Sequence, residues 1–397
     1  MKVLHICLTG VGMIDNWLYQ ENLLTKYHAK LGYEVSIITT NLSRDKQGNV
    51  FNDERSEYIN SDNCKIFRLK LKNGCRYSSK FRKFENILPI ILSIRPDIIF
   101  VHNIQFLDIF VILKYLRVIE KAGESKPKLF IDSHTDFVNS GNTFLSKYIL
   151  HKIVWRYVSK KLIKHVDKFY GVLPARTLFL NEIYKIPTSK TETLYMGVDD
   201  ELVIEAKQNF VREIVRNEIG VSKEEFLIIT GGKIDKNKKQ VLVLMEAVNK
   251  MEKFDGKLVV FGSISSELKN DFASHLSDRI IFVGWLDSTK IYKYFHSVDL
   301  AIFPGLHSVY WEQVVGMGVP SIFKFIPGFT HVDLGGNCKF IYNDTLEEIS
   351  SLVEKVINEE ELYLKMKIIA ERKGIITFSY KQIALRSLGV KIPLKEI

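Results

Sequence analysis

Short apolar runs alternate with amphipathic stretches along most of the chain. Val3–Leu8, Glu34–Thr39, Ile66–Leu69, Ile98–His102, Leu129–Ser133 and Phe169–Leu173 are rich in β-branched or aromatic residues and bounded by turn formers. Their near-continuous hydrophobicity predicts strands covered on both faces, as in parallel sheets. Between them Leu18–Leu31 and Phe144–Val166 carry helical periodicity. A second series comprises Phe226–Thr230, Leu258–Phe261, Ile280–Val283, Leu300–Phe303 and Ser321–Phe323, with helical segments around Val241–Met251, Thr289–His296 and Val309–Met317. This alternation predicts an α/β fold of two Rossmann-like, doubly wound domains. The series part near Tyr195–Glu201, so residues 1–195, completed by a C-terminal helix 378–397, and residues 196–377 are the expected domains. Parallel sheets bind ligands at their strand carboxyl ends. Two such domains facing across a cleft would place one ligand on each side.

Composition narrows the partners. The 397 residues are 46% hydrophobic and 26% charged, as in a folded globular protein. A net charge of +10 favours an anionic partner: nucleotide phosphates, a polyanion or an acidic lipid surface. The aromatic–basic interleaving or groove-reading helix of a nucleic-acid module is not evident, so no nucleic-acid partner is expected. Met1–Leu8 leads into a turn without a cleavage signal, and Ile87–Ile119 is interrupted by Arg95, Pro96, Asp97, His102 and Asp108. Neither a secretory leader nor a membrane span is therefore expected. Cys7, Cys64, Cys75 and Cys338 form no Cys-x-x-Cys pair, which argues against zinc or a disulfide framework and for a cytoplasmic location.

The stretch with most chemistry is Asp299-Leu-Ala-Ile-Phe-Pro-Gly-Leu-His-Ser-Val-Tyr-Trp-Glu-Gln-Val-Val-Gly-Met-Gly-Val-Pro320. A buried strand ends at Pro304, a loop follows, and a helix is expected from about Ser308. Free amides at that helix start would suit a diphosphate. Glu312, in the first turn or so, is either a hydroxyl-binding group facing the cleft or an ordinary carboxylate compensating the helix dipole. Gly316 and Gly318 would let the helix end close on the next strand.

This segment resembles the donor site of the retaining family 4 glycosyltransferases, whose fold is called GT-B. The family pattern has a glutamate, a second glutamate eight positions later, a small-residue helix end and Gly-x-Pro. Glu312 matches the second glutamate, implying contact with the nucleotide ribose. Pro304 stands where the first glutamate would contact the transferred sugar, leaving Gly305, His307 and Ser308 as that loop's candidates. Thr230-Gly-Gly-Lys-Ile-Asp-Lys-Asn-Lys-Lys239 resembles the family's Gly-Arg-Leu…Lys-Gly loop. Lys233 and Lys238 take the two cationic positions beside Gly232, implying neutralisation of the leaving diphosphate. Phe282-Val-Gly-Trp-Leu286 and Phe261-Gly-Ser263 resemble base-side segments, making Trp285 and Gly262 donor-side candidates; Trp285 reads equally as a core aromatic. Gly10-Val-Gly-Met-Ile-Asp15 lacks the third glycine of a dinucleotide fingerprint. It resembles the family's first Gly-rich loop, placing Gly12 on the acceptor side. Ile131-Asp-Ser-His-Thr-Asp136 resembles the His-Asp loop, with His134 at the sugar-contacting histidine. His102, at another strand end, joins the acceptor-side candidates.

Two regions are basic and free of acids. Residues 146–166 carry Lys152, Arg156, Lys160 and Lys164 on one stripe, with Leu150, Val154, Val158, Leu162 and Val166 opposite. Residues 68–84 carry seven cations. Together they suggest a surface that rests on anionic lipid, peripheral on the inner face of the cell membrane. The expected activity is transfer of a sugar from a nucleoside diphosphate sugar to a glycan or lipid-linked acceptor in surface polysaccharide or glycan assembly. Retention and independence from metals and other cofactors come from the resemblance. A non-catalytic partner subunit and a nucleotide-sugar epimerase of the same architecture remain alternatives.

Overall fold

The computed structural model describes residues 1–45, 49–72, 80–140, 143–252 and 254–390. The chain forms two compact units. One is built on Met1–Tyr195 joined by residues 383–390, the other on Met196–Gln382.

The first unit contains β1 (Lys2–Cys7), β2 (Glu34–Thr40), β3 (Leu42–Arg44), β4 (Val50–Asn52), β5 (Glu57–Ile59), β6 (Lys65–Leu69), β7 (Ile98–Val101), β8 (Lys128–Ser133), β9 (Lys168–Gly171) and β10 (Thr191–Thr193). Its main sheet runs β10-β9-β8-β7-β1-β2-β6-β5, with β3 and β4 in a separate antiparallel hairpin. All pairings in the main sheet are parallel except the edge pair β5–β6. Helices cover both faces, so the central strands are apolar on alternate and intervening positions alike. Ile6, Ile99, Val101, Leu129 and Ile131 are buried with Trp155 and Phe179 of the covering helices. Each such side chain contributes about 1.5–3 kcal/mol relative to exposure.

The second unit contains β11 (Phe226–Ile234), β12 (Gly256–Ile264), β13 (Ile280–Gly284), β14 (Leu300–Phe303), β15 (Ser321–Lys324) and β16 (Cys338–Ile341). They form an all-parallel sheet in the order β13-β12-β11-β14-β15-β16. Ile228, Val260, Ile302 and Ile322 pack with Leu244, Met245 and Val248 of helix Gln240–Lys250. Both sheets are doubly wound and Rossmann-like. Strand order reverses at β1, flanked by β2 and β7, and at β11, flanked by β12 and β14. Loops at these switch points are where such sheets hold ligands.

Two local expectations need correction. Gly316 and Gly318 do not admit the next strand; they admit helix Glu360–Phe378. A Cβ on Gly316 would meet Val198 at 2.6 Å and Phe378 at 3.3 Å, and one on Gly318 would meet Glu371 at 3.2 Å. The segment after Phe144 is not a plain α-helix either. Leu145–Trp155 winds as a wide π-helix and continues as α-helix Arg156–Leu162. Val158, Leu162 and Val166 are buried as expected, with Leu150 and Val154 packed against the core. A second apolar set also faces outward along this stretch: Phe144, Leu145, Tyr148, Ile149, Ile153 and Tyr157 are exposed. Among the basic residues Lys160, Lys161 and Lys164 are exposed, whereas Arg156 Nε donates to the Ile183 carbonyl at 2.7 Å. Part of the 68–84 basic region, including Arg76, lies outside the described residues. No helix among the described residues is long and apolar enough to cross a membrane.

Candidate functional site

The second unit gathers its candidates at the carboxyl ends of β11, β12 and β14. β11 ends in Gly231 and Gly232, at φ 153° and 108°, and β12 carries Gly262 at φ 115°. These conformations suit glycine, and the contacts demand it. A Cβ on Gly231 would lie 2.2 Å from the Phe261 carbonyl oxygen, and one on Gly262 only 1.9 Å from that of Gly232. The two backbones therefore meet without side chains between them. Lys238, in the turn after β11, is half-buried, and burial lowers its pKa against the opposing pull of Asp235. It packs under Gly305, whose Cβ would lie 3.0 Å from the lysine chain, and its Nζ is 3.6 Å from the Cβ position of Gly232. Tyr310 closes this corner, its ring edge-on to Phe261 at 5.1 Å. Lys233 stands apart: its side chain is exposed, 3.8 Å from Asp235. Gly232, Gly262, Gly305 and Lys238 thus share one corner.

Beyond it, helix Tyr310–Gly316 begins two residues later than its expected start at Ser308. Ser308 Oγ is buried with no hydrogen-bond partner among the described residues. Glu312, read from sequence either as a hydroxyl-binding group or as a carboxylate compensating the helix dipole, is fully buried. His307 Nε2 donates to both its oxygens, at 3.0 and 3.2 Å, and His331 Nε2 donates to Oε1 at 2.8 Å. Burial alone would raise the carboxyl's pKa, but His307 and His331 outweigh it and hold Glu312 down to about 2. A carboxylate at this depth keeps its charge because both oxygens are hydrogen-bonded. The ligand atoms of this trio lie within 4.8 Å of one another, so these are the side chains that could hold a metal ion. Trp285 follows Gly284 and is 66% exposed, which overturns its reading as a core aromatic.

The first unit gathers a second set around β1, β7 and β8. Gly12 has φ 64°, and its amide donates to the Thr9 carbonyl at 2.9 Å. A Cβ there would strike Thr39 Oγ1 at 2.2 Å, so the Gly-rich loop can close only over glycine. His134 is partly exposed, with Nε2 3.7 Å from Asp132 Oδ1. His102 is buried and its Nδ1 lies 3.3 Å from Asp132 Oδ2. Asp132 therefore links the two histidines singled out from sequence. Asp136 instead pairs with Arg176 at 3.1 Å and caps its own turn.

Sequence reasoning missed His331, Tyr310, Asp132, His5 and His28. The first three follow or end strands at their carboxyl ends, a placement visible once the strands are fixed. His5 and His28 carry no such signal, since one lies within an apolar strand and the other within a helix.

Comparison with known proteins now bears on this geometry. Residues 225–358 match the family model described as glycosyl transferases group 1. That segment is a group 1 glycosyltransferase domain. An uncharacterized glycosyltransferase of Methanocaldococcus jannaschii is 23% identical over 198 residues, 45% of this chain. The matched part spans about half of that relative, 47% of its length. The structure is similar to a glycosyltransferase from Rickettsia africae, at TM-score 0.67 and 16% identity over 98% of this chain and 97% of that one. It is also similar to Anabaena HepE in complex with UDP and glucose, at TM-score 0.62 and 13% identity over 97% and 98% of the two chains. The fold is that of the GT-B glycosyltransferases, and every candidate of the second unit named above lies inside the matched domain.

Proposed function

We propose that this chain is a glycosyltransferase that moves a sugar from a nucleoside diphosphate sugar to a glycan or lipid-linked acceptor, with retention of configuration and without a metal. The observation that carries the reading is the corner formed by Gly231, Gly232, Gly262, Gly305 and Lys238 at a switch point inside the group 1 domain. The glycines bring the ends of β11 and β12 together beside Lys238, whose half-buried ammonium supplies the charge that opposes a pyrophosphate. In this reading Lys238 stabilises the diphosphate as it leaves, and the exposed Lys233 adds longer-range attraction. Glu312 Oε2, which receives only the longer bond from His307, is the atom that meets a ribose hydroxyl. His307 and Ser308 take the loop contacts that Pro304 does not supply, and Trp285 is free to stack on a base. In the first unit His134 is the partly exposed group offered to substrate.

The acceptor side is proposed to work on a membrane surface. The exposed apolar set Phe144 to Tyr157, beside Lys160, Lys161 and Lys164, combines an insertable face with cations. Interfacial helices bind anionic lipid through this combination. An acceptor held in that membrane places the reading in surface polysaccharide or glycan assembly.

The test is a thermal-shift panel of nucleoside diphosphates and their sugars, followed by mass spectrometry of donor turnover. Binding with transfer or slow donor hydrolysis supports the proposal. Binding without turnover under any acceptor would favour a non-catalytic partner subunit, which the carboxylate-free Pro304 position would explain. Conversion of the donor sugar alone would indicate an epimerase.

A further inference from the structure

Glu312 sits at the centre of a closed group of three side chains in the second unit. Its Oε1 lies 3.0 Å from His307 Nε2 and 2.8 Å from His331 Nε2, and its Oε2 lies 3.2 Å from His307 Nε2. One nitrogen or oxygen from each residue lies within 4.8 Å of the other two. Helix Tyr310–Gly316 carries the carboxylate, the loop before it carries His307, and the short turn Thr330–Val332 after β15 carries His331. The side chains of Glu312 and His331 are fully covered and that of His307 is 6% exposed, so His307 is the entrance.

A buried charge is normally either paired or bound to a metal. With both imidazoles neutral this trio carries one negative charge and offers two nitrogens and an oxygen. That donor set suits zinc, cobalt and nickel, whereas magnesium and calcium take oxygen ligands. Zinc bonds of about 2.0–2.2 Å at tetrahedral angles separate their ligand atoms by about 3.3–3.5 Å. The separations seen here fall short of this by well under a bond length, which rotation of the two rings supplies.

We propose that His307, Glu312 and His331 form a zinc site whose occupation excludes the sugar donor. Zn²⁺ takes Nε2 of both histidines and Oε1 of Glu312, and each neutral histidine carries its ring proton on Nδ1. Water or Ser308 Oγ completes the four ligands; that hydroxyl is buried with no hydrogen-bond partner among the described residues. The ion engages Glu312 and His307, the groups that the transferase reading above gives to the ribose and the transferred sugar. Zinc and donor therefore compete, and the ion acts as an inhibitor of a transfer that needs no metal. The competition rests on that reading; the site itself does not.

The test uses the full chain, stripped of metal with a chelator and dialysed. Zn²⁺ alone, titrated in a calorimeter, should bind at one equivalent, and a large excess of Mg²⁺ should not displace it. His307→Asn and His331→Asn should each weaken Zn²⁺ binding by more than about 100-fold, since each removes a ligand and not merely its outer support. A wild-type chain that binds no Zn²⁺, or binding that survives both substitutions, would overturn the proposal. Should the buried His331→Asn fail to fold, His307→Asn and X-ray absorption of the zinc-loaded wild type decide. Two imidazoles and one carboxylate are expected in that spectrum; a sulfur ligand or an all-oxygen shell would overturn the site. Saturating Zn²⁺ should weaken binding of a nucleoside diphosphate sugar at least about tenfold. The sugar should weaken Zn²⁺ by the same factor, because coupling between two ligands is reciprocal. Zinc held by the trio with donor affinity unchanged would overturn the exclusion. Zinc held by the trio in a chain that binds no nucleotide sugar would sink the transferase reading alone.

Discussion

His307 Nε2 sits 3.0 Å and 3.2 Å from the two oxygens of Glu312, while His331 approaches the first of them at 2.8 Å. Replacing Glu312 by Gln keeps the shape but turns one acceptor into a donor facing an imidazole N–H. Leaving a buried donor unpaired costs about 1–3 kcal/mol. Glu312→Gln should therefore lower the unfolding free energy by that amount as well as weaken donor binding. Chemical denaturation read beside titration with a nucleoside diphosphate sugar checks both. A fully stable variant with wild-type donor affinity would remove Glu312 from the site.

Lys238 should act mainly in the transition state. Its ammonium is half-buried, and burial already lowers its pKa, so a developing diphosphate charge gains more from it than a resting one. Lys238→Ala should reduce kcat by about 10²–10³-fold, the scale of one lost electrostatic contact, with a smaller change in donor affinity. Lys233→Ala, removing an exposed cation, should change kcat much less. Equal losses in kcat and affinity for Lys238→Ala would indicate simple binding of the ground state.

Much of this architecture was legible because parallel strands covered on both faces must be apolar throughout. Leu300–Phe303 was read at its exact bounds, and Val3–Leu8 and Ile280–Val283 to within a residue or so of β1 and β13. Short edge elements such as β5, β10 and the β3–β4 hairpin were not read. They bury little, and Val50, Phe51 and Ile59 are in fact exposed. The residue types at the site were visible through strand-end position, but their partners were not. Nothing local in the sequence says that His331, nineteen residues on, shares Glu312 with His307. His5 was hidden for the opposite reason: a polar ring inside an apolar strand reads as an exception until its two histidine neighbours are in place. The π-helix escaped because a period of 3.6 was assumed where the chain winds wider.

Membrane attachment should have two separable parts. Reversing Lys160, Lys161 and Lys164 to Glu should abolish the salt-sensitive part of sedimentation with anionic vesicles, since each nearby cation adds about 1 kcal/mol. Arg156 is best left intact, because its guanidinium holds the Ile183 carbonyl. Phe144→Ser with Ile153→Ser should remove a salt-resistant remainder, because both side chains are exposed and apolar. Vesicle binding that survives both sets of changes would show that the contact lies elsewhere.

The buried histidines also set how the protein responds to acid. Burial lowers His28 to about 4 and takes His5 well below the ordinary value, whereas an unfolded histidine titrates near 6.5. Between those values the unfolded chain binds more protons than the native one, so stability must fall as pH drops from 6.5 towards 4. For His28 alone the loss is on the order of 3 kcal/mol. The carboxylates do not produce this limb. Asp132 and Glu312 are held below their unfolded values, so their contributions stand intact above those values and are lost only as pH falls through the lower, folded ones. His102 has the reverse sign: its raised pKa stabilises fully below 6.5 and ceases to do so only as pH rises through the folded value. Urea unfolding of the intact chain at pH 7, 6, 5 and 4 should show stability declining across this range. His28→Phe should flatten the decline by about 1.4 kcal/mol per pH unit, the linkage of a single proton, in the lower part of the range. Parallel curves for the two proteins would mean that His28 is not held neutral in the native state.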